Sequence, residues 1–216
     1  MSWTQHMYDE TSDLWERIYD HPFLQDLAAG KLSRERLAFY FEQNTHYIDN
    51  VLSCRSLAIA KARDEGERSF FLGRTSMIVD ELQHQKEMLA AVGGDASAPI
   101  APTCHAYTRH ILTLAWSKTP VEYLGAFMPC PWSYDEIGRQ LRGAALQEET
   151  QEWWEFYMSE AHNELCDNYR AYVDTYSASL SDGQRQEMLE NFTRSINYEY
   201  RFWDMAYNFE QWPLST

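Results

Sequence analysis

The chain has 216 residues, of which 44% are hydrophobic and 15% are aromatic, a composition too apolar for a disordered protein. Its formal net charge is −15 and its 18 basic residues are scattered, which argues against a nucleic-acid partner, because such partners require a basic stripe. The first residues contain no secretory h-region, and no apolar run is long enough to span a bilayer. We therefore expect a cytoplasmic protein without a membrane partner, whose four widely separated cysteines are free thiols.

The first half of the chain shows the 3.6-residue periodicity of amphipathic helices. A helix over residues 8–20 is predicted to end before Pro22, since proline disrupts a helix interior. Ser33 is a typical N-cap for a second, long helix. A third helix is predicted over Glu67–Val92, ending at the Gly93-Gly94 pair.

The second half continues in the same pattern after the loop "DASAPIAPT". Thr103 is predicted to cap one helix, and Pro120 to open another that two prolines interrupt around Cys130. A long helical segment follows over residues 148–176, and Ser181 is predicted to cap the last helix.

No alternating apolar and polar run with hairpin turns is present, so the pattern predicts an all-α protein. With 9 glycines, 7 prolines and no linker-like stretch, the chain is predicted to form a single domain over residues 1–216. We expect a bundle of about seven helices.

Three residues depart from this helical pattern in ways that suggest chemistry. Asn44 and Glu199 lie inside the apolar stripes of their helices, where a carboxylate must be paired or shift its pKa. Cys130 lies between two prolines, at a point where one helix must stop and another begin. The unpaired N–H groups and the dipole of a helix start favour a thiolate, so this position suits a nucleophile.

Six short motifs resemble those of the thiaminase II (TenA) family. They are "HPF" at His21–Phe23, G-x-L at Gly30–Leu32, and then "FYFEQNTHYI", "MPCPWSYDEIG", "WWEFY" and "YEYRFWDMAY". They occur in order from about residue 15 to Trp212, which is essentially the whole chain.

This resemblance implies a haem-oxygenase-like helical bundle that binds no haem and needs no metal or organic cofactor. The implied activity is hydrolysis of a C–N bond at the methylene of a 4-amino-2-methylpyrimidine in thiamin salvage. The implied substrates are thiamin and 4-amino-5-aminomethyl-2-methylpyrimidine, the product is the hydroxymethyl pyrimidine, and the implied assembly is a homotetramer.

The resemblance also implies roles for individual residues. Cys130 matches the family's nucleophile, and Glu199 matches the acid/base that exchanges a proton with the pyrimidine ring. Six residues match the substrate-binding positions: Asn44, Tyr47, Tyr107, Tyr134, Tyr157 and Phe202. Aromatic faces and a few directed hydrogen bonds suit a flat aminopyrimidine, so we expect all eight side chains to converge on one pocket.

One of these positions departs from the family pattern. The family has Gln-Asp where this chain has Gln43-Asn44. An asparagine can accept from the exocyclic amine and donate to a ring nitrogen, as a protonated aspartate would. It cannot act as a base, so the substitution bears on rate and substrate choice more than on binding.

Two other functions are considered. Some relatives on this bundle are di-metal oxidases, and Glu81 and His84 share a helical face with E-x-x-H spacing, with Glu136 nearby in the cysteine segment. The last helix has no histidine, so the ligand set is short for such a site and no metal is expected. The second alternative is a regulatory pyrimidine binder without turnover, which is compatible with Asn44.

Overall fold

A computed structural model describes residues 1–214 of the chain. All regular structure in these residues is helical, with no strand, which confirms the all-α class. None of the described helices has the length and apolar character needed to cross a membrane. The helices are α1 Trp3–Asp9, α2 Ser12–Tyr19, α3 Pro22–Ala28, α4 Arg34–Ala60, α5 Glu65–Leu72, α6 Thr75–Val92, α7 Pro102–Ser117, α8 Pro120–Phe127, α9 Pro129–Leu141, α10 Glu148–Glu155, α11 Glu160–Ser177 and α12 Asp182–Asn208.

The described residues contain twelve helices, whereas the periodicity predicted about seven. Some of the additional helices come from local breaks inside stretches of continuous apolar pattern. The prediction of one helix over residues 8–20 is wrong, because α1 ends at Asp9 and α2 begins at Ser12. Gly73 and Arg74 divide the predicted helix over Glu67–Val92 into α5 and α6. Ser159 divides the segment over residues 148–176, because its side chain accepts a hydrogen bond from the backbone N–H of His162 and so caps α11.

Several predicted helix ends agree with the structure. Ser33 caps α4 through its side chain, Gly93 ends α6 in the left-handed conformation with φ 76°, and the hydroxyl of Ser181 accepts from the N–H of Gln184 at the start of α12. The prediction for Thr103 is wrong, because α7 begins at Pro102. Proline fits the first position of a helix, where its missing N–H costs nothing.

The described residues divide into two compact units. The first unit consists of Met1–Leu32 and Leu124–Trp203, and the second consists of Ser33–Tyr123 and the described residues from Asp204 onward. The single domain over residues 1–216, of which the last two lie outside the described residues, stays a prediction.

In the first unit, the "HPF" motif starts α3. The His21 side chain caps the helix by accepting from the N–H of Phe23, 3.1 Å away. Pro22 occupies the first helical position, and the buried Phe23 ring lies 5.1 Å from the ring of Trp203. The motif therefore combines a helix start with a core contact.

A buried carboxylate joins α9 to α11 in the same unit. Asp135 on α9 is completely buried. Its carboxylate contacts the guanidinium groups of Arg139, at 3.1 Å, and Arg170, at 3.8 Å, and accepts from the Asn163 amide. A buried charge is tolerated when it is paired and hydrogen-bonded in this way, so the contact fixes the position of α9 against α11.

In the second unit, α4 packs against α5, α6 and α7. Gln43 ties α4 to the start of α7, because its side chain accepts from the N–H of Ala101 at 2.7 Å and donates to the carbonyl of Pro99 at 3.1 Å. The thiol of Cys104 also donates to the Gln43 carbonyl. These bonds fix the segment of α4 that carries Asn44.

Gly138 permits a close approach within the first unit. A Cβ atom at this position would lie 2.4 Å from the carbonyl oxygen of Tyr157, which is closer than two such atoms can approach. Tyr134 lies one helical turn before Gly138 on the same face, and its ring centroid is 4.7 Å from that of Tyr157. The glycine therefore allows the two tyrosine rings to meet.

We predict that Gly138→Ala destabilises the protein by about 1–3 kcal/mol, because backbone must move to relieve the overlap. Gly183→Ala is the matched control, since no atom lies within 4 Å of the added Cβ. The control is expected to be neutral or slightly stabilising, as alanine favours a helix over glycine. Urea unfolding measures both variants, and equal free energies of unfolding would contradict the prediction.

Candidate active site

Cys130 lies at a helix start, as its flanking prolines predicted. Helix α8 ends at Phe127 and α9 begins at Pro129, so Cys130 is the second residue of α9. It is half-buried, whereas the other cysteines of the chain are buried. Cys130 is thus the thiol that combines partial exposure with the N–H groups of a helix start, the setting that favours a thiolate.

The other three thiols are held in the protonated form. Burial raises the pKa of Cys54 to about 12. It also raises the pKa of Cys104 and of Cys166 well above the ordinary value of a thiol. A protonated, buried thiol is a weak nucleophile, so these residues are packing groups.

Glu199, the predicted acid/base, is connected to the same helix start. Its carboxylate is buried on α12, and its Oε2 atom lies 3.4 Å from the hydroxyl oxygen of Ser133. That hydroxyl also lies 3.0 Å from the backbone carbonyl of Cys130. One side chain therefore contacts both the carboxylate and the backbone of the predicted nucleophile.

Aromatic side chains surround Tyr134 in the first unit. Its ring is stacked on that of Trp154, with centroids 5.3 Å apart and planes at 14°. The ring of Tyr157 lies at 4.7 Å and that of Trp203 at 5.4 Å. The four buried rings form one aromatic cluster, in which stacked and tilted pairs contribute contact energy beyond their burial.

The second unit holds another part of the predicted site. The rings of Tyr47 and Tyr107 are 5.0 Å apart at an angle of 38°. Asn44, one turn before Tyr47 on α4, is 4% exposed. Its amide makes no side-chain hydrogen bond with the described residues. A buried polar group is normally hydrogen-bonded, so this amide is available to a ligand.

The eight predicted residues therefore fall into two sets. Cys130, Tyr134, Tyr157, Glu199 and Phe202 belong to the first unit, and Asn44, Tyr47 and Tyr107 belong to the second. The convergence of both sets on one pocket stays a prediction.

Residue-by-residue prediction missed Ser133, Trp154 and Trp203. The spacing of Ser133 three residues after Cys130 places both on one helical face, but nothing local relates it to Glu199. The two tryptophans lie within the quoted motifs "WWEFY" and "YEYRFWDMAY", which were assigned only through their tyrosine, phenylalanine and glutamate residues.

His162 supports the start of α9 from α11. Its Nε2 atom lies 3.1 Å from the backbone carbonyl oxygen of Pro131, and the thiol of Cys166 donates to that oxygen at 3.2 Å. Burial lowers the pKa of His162 below its ordinary value. The ring is therefore neutral at pH 7, where its Nε2–H donates to the carbonyl next to Cys130.

The residues of the metal alternative were also located. Glu81 and His84 lie on α6, and Glu136 lies on α9. In residues 1–214, no group of three or more His, Cys, Asp or Glu side chains has an arrangement that could hold a metal ion.

The fold belongs to the haem-oxygenase-like class of helical proteins. A haem oxygenase from Leptospira interrogans superimposes with a TM-score of 0.63 at 15% identity, over 94% of this chain and 98% of that one. A TenA homologue from P. horikoshii superimposes with a TM-score of 0.87 at 22% identity, over 96% and 99%.

The family follows from the sequence comparison. A family model described as TENA/THI-4/PQQC matches residues 8–209, and the chain belongs to this family. Two relatives bear the name aminopyrimidine aminohydrolase. The protein from Halalkalibacterium halodurans is 29% identical, over 98% of each chain. The protein from Bacillus subtilis is 26% identical, over 100% of this chain and 94% of that one.

We predict that Cys130 reacts with an alkylating agent faster than the other three cysteines, because it is partly exposed and lies at a helix start. Bound hydroxymethyl pyrimidine should protect it. Peptide mass spectrometry after timed labelling measures both effects. Uniform labelling of the four thiols, or no protection, would argue against a nucleophilic role.

We also predict that His162 contributes to acid sensitivity. Because burial lowers the pKa of His162 in the folded chain, the unfolded chain takes up a proton first, near pH 6.5. Stability is then lost as the pH falls below about 6.5, by at most about 1.4 kcal/mol per pH unit for one group. His162→Gln retains a donor but not the titration. Its free energy of unfolding should fall less than that of the parent between pH 7.5 and 5.5, and parallel curves would refute the assignment.

Proposed function

We propose that the protein is an aminopyrimidine aminohydrolase of the thiaminase II type, acting in thiamin salvage. It hydrolyses the C–N bond at the methylene of a 4-amino-2-methylpyrimidine and releases the hydroxymethyl pyrimidine. The observation that carries this proposal is the single hydroxyl that contacts both the Glu199 carboxylate and the backbone of Cys130. The names of the two relatives support the same activity.

In the proposed mechanism, Cys130 is the nucleophile and Glu199 is the acid/base. The thiolate of Cys130 adds to a ring carbon while Glu199 transfers its proton to a ring nitrogen, so that the ring holds no negative charge. The C–N bond at the methylene then breaks, and its electron pair leaves with ammonia, from the protonated aminomethyl group, or with the thiazole of thiamin.

Water completes the reaction. It adds to the exocyclic methylene carbon and gives a proton to the Glu199 carboxylate, which restores the acid. The C–S bond then breaks, the thiolate of Cys130 is released and the ring nitrogen returns its proton to the solution. The net change is one water consumed, with no redox step.

The substrate-binding residues in this proposal are Asn44, Tyr47, Tyr107, Tyr134, Tyr157 and Phe202. The stacked rings around Tyr134 supply aromatic faces for a flat pyrimidine. The buried amide of Asn44 offers one acceptor for the exocyclic amine and one donor for a ring nitrogen. Selectivity for an aminopyrimidine follows from that pair of hydrogen bonds.

We also propose that the protein is cytoplasmic and a homotetramer. The family resemblance supports the tetramer. Light scattering of the purified protein measures the assembly directly, and a monomer mass at micromolar concentration would refute the tetramer.

A steady-state comparison of thiamin and the aminomethyl pyrimidine tests the activity. The parent chain should release the hydroxymethyl pyrimidine from at least one of them. Cys130→Ser should abolish release, whereas Cys54→Ser is the control and should retain it, because burial holds the Cys54 thiol in its protonated, unreactive form. Binding of both pyrimidines without turnover would favour the second candidate function, a regulatory pyrimidine binder. The observation that supports this alternative is Asn44, an amide at the position where the family has a carboxylate.

Restoring the family aspartate is predicted to raise the rate. In Asn44→Asp a carboxylate could share the proton of the thiol, since Glu199 is assigned to the ring, and such a partner contributes roughly 10²–10⁴-fold. We expect a higher kcat on the aminomethyl pyrimidine, with the gain lost at low pH, where the carboxylate is protonated. Ser53→Asp places the same charge at an exposed site of α4 and is the control. Equal rates for the parent and Asn44→Asp at every pH would refute this view.

A further inference from the structure

Ser133 is completely buried on α9 and was not assigned by the family motifs. Its hydroxyl oxygen lies 3.0 Å from the backbone carbonyl of Cys130 and 3.4 Å from the Oε2 atom of Glu199. Both neighbours are hydrogen-bond acceptors when Glu199 is ionised. The hydroxyl has one proton and can therefore donate to only one of them at a time.

The protonation state of Glu199 decides which bond forms. When Glu199 is ionised, the strongest acceptor is its carboxylate, because bonds to a charged acceptor are about twice as strong as neutral ones. When Glu199 is protonated, it becomes the donor to the Ser133 oxygen, and the Ser133 proton turns to the Cys130 carbonyl. Rotation of the single O–H bond of Ser133 therefore switches its hydrogen bond between the two acceptors.

We propose that Ser133 is a positioning residue that stabilises the ionised form of Glu199. This proposal rests on the proposed function, in which Glu199 becomes a carboxylate as it transfers its proton to the pyrimidine ring. The Ser133 hydroxyl then rotates from the Cys130 carbonyl to the new charge. No covalent bond to Ser133 forms or breaks, and its contribution is largest once the charge has developed.

A purely local role is the simpler explanation, because helical serines commonly bond to the carbonyl of a residue three or four positions earlier. Ser177 on α11 shows that arrangement alone. Ser177 is 1% exposed, and its hydroxyl donates to the backbone carbonyl of Asp174 at 3.3 Å. Ser177 is therefore a matched control that has the backbone bond of Ser133 without the bond to a carboxylate.

A double-mutant cycle separates the two explanations. Ser133→Ala should lower kcat for the aminomethyl pyrimidine by about 10- to 100-fold, the effect of losing a hydrogen bond to a charged group, and should change KM by less than about threefold. In the Glu199→Gln background, where no carboxylate can form, Ser133→Ala should lower the residual kcat by less than about threefold. Ser177→Ala should have the same small effect in both backgrounds.

An equal kcat loss for Ser133→Ala in both backgrounds, or a loss no larger than that of Ser177→Ala, would overturn the proposal. Melting temperatures provide a measurement that needs no turnover. They are compared for the parent, Ser133→Ala, Glu199→Gln and the double variant. Ser133→Ala should lower the melting temperature by roughly 2–4 °C more in the parent than in Glu199→Gln. If the parent hydrolyses neither pyrimidine, the proposed function fails. The difference in melting temperature then still tests the hydrogen bond between Ser133 and Glu199. Its presence supports that bond, and its absence overturns it.

Discussion

The carbonyl oxygen of Pro131 accepts hydrogen bonds from two buried side chains of α11, His162 and Cys166. A carbonyl oxygen has two lone pairs, so it can accept both of these bonds. The bonds hold the residue that follows Cys130 against α11. The orientation of the proposed nucleophile therefore depends on a contact outside its own helix.

The Asp135 cluster supports the same pair of helices one turn further along α9. Its charge pairs with Arg139 and Arg170, and the guanidinium of Arg170 also lies 4.8 Å from the centre of the Trp132 ring. Together with the close approach at Gly138, these contacts define both the rotation and the distance of α9. Removing one partner of a buried ion pair leaves an uncompensated charge, so the arrangement allows few alternatives.

The sequence predicted those features that local chemistry determines. The caps at Ser33 and Ser181, the end of α6 at Gly93 and the helix start at Cys130 all follow from residues with strong positional preferences. The break at Gly73 was missed because apolar periodicity continues across it. Ser133 was missed for a different reason: its link to Glu199 joins positions 66 residues apart. The tertiary contact that gives this serine a role leaves no local pattern, and the same holds for the bonds from His162.

The unequal burial of the four thiols has a practical consequence for the oxidation of the protein during handling. Oxidation to a sulfenic acid follows thiolate character and exposure, so damage by peroxide should concentrate at Cys130, while burial shields Cys54, Cys104 and Cys166. A reagent that reports free accessible thiols would then count the chains whose Cys130 thiol is intact. The ratio of titrated thiol to total protein becomes a measure of the fraction of a preparation in which Cys130 is unoxidised, independent of any substrate.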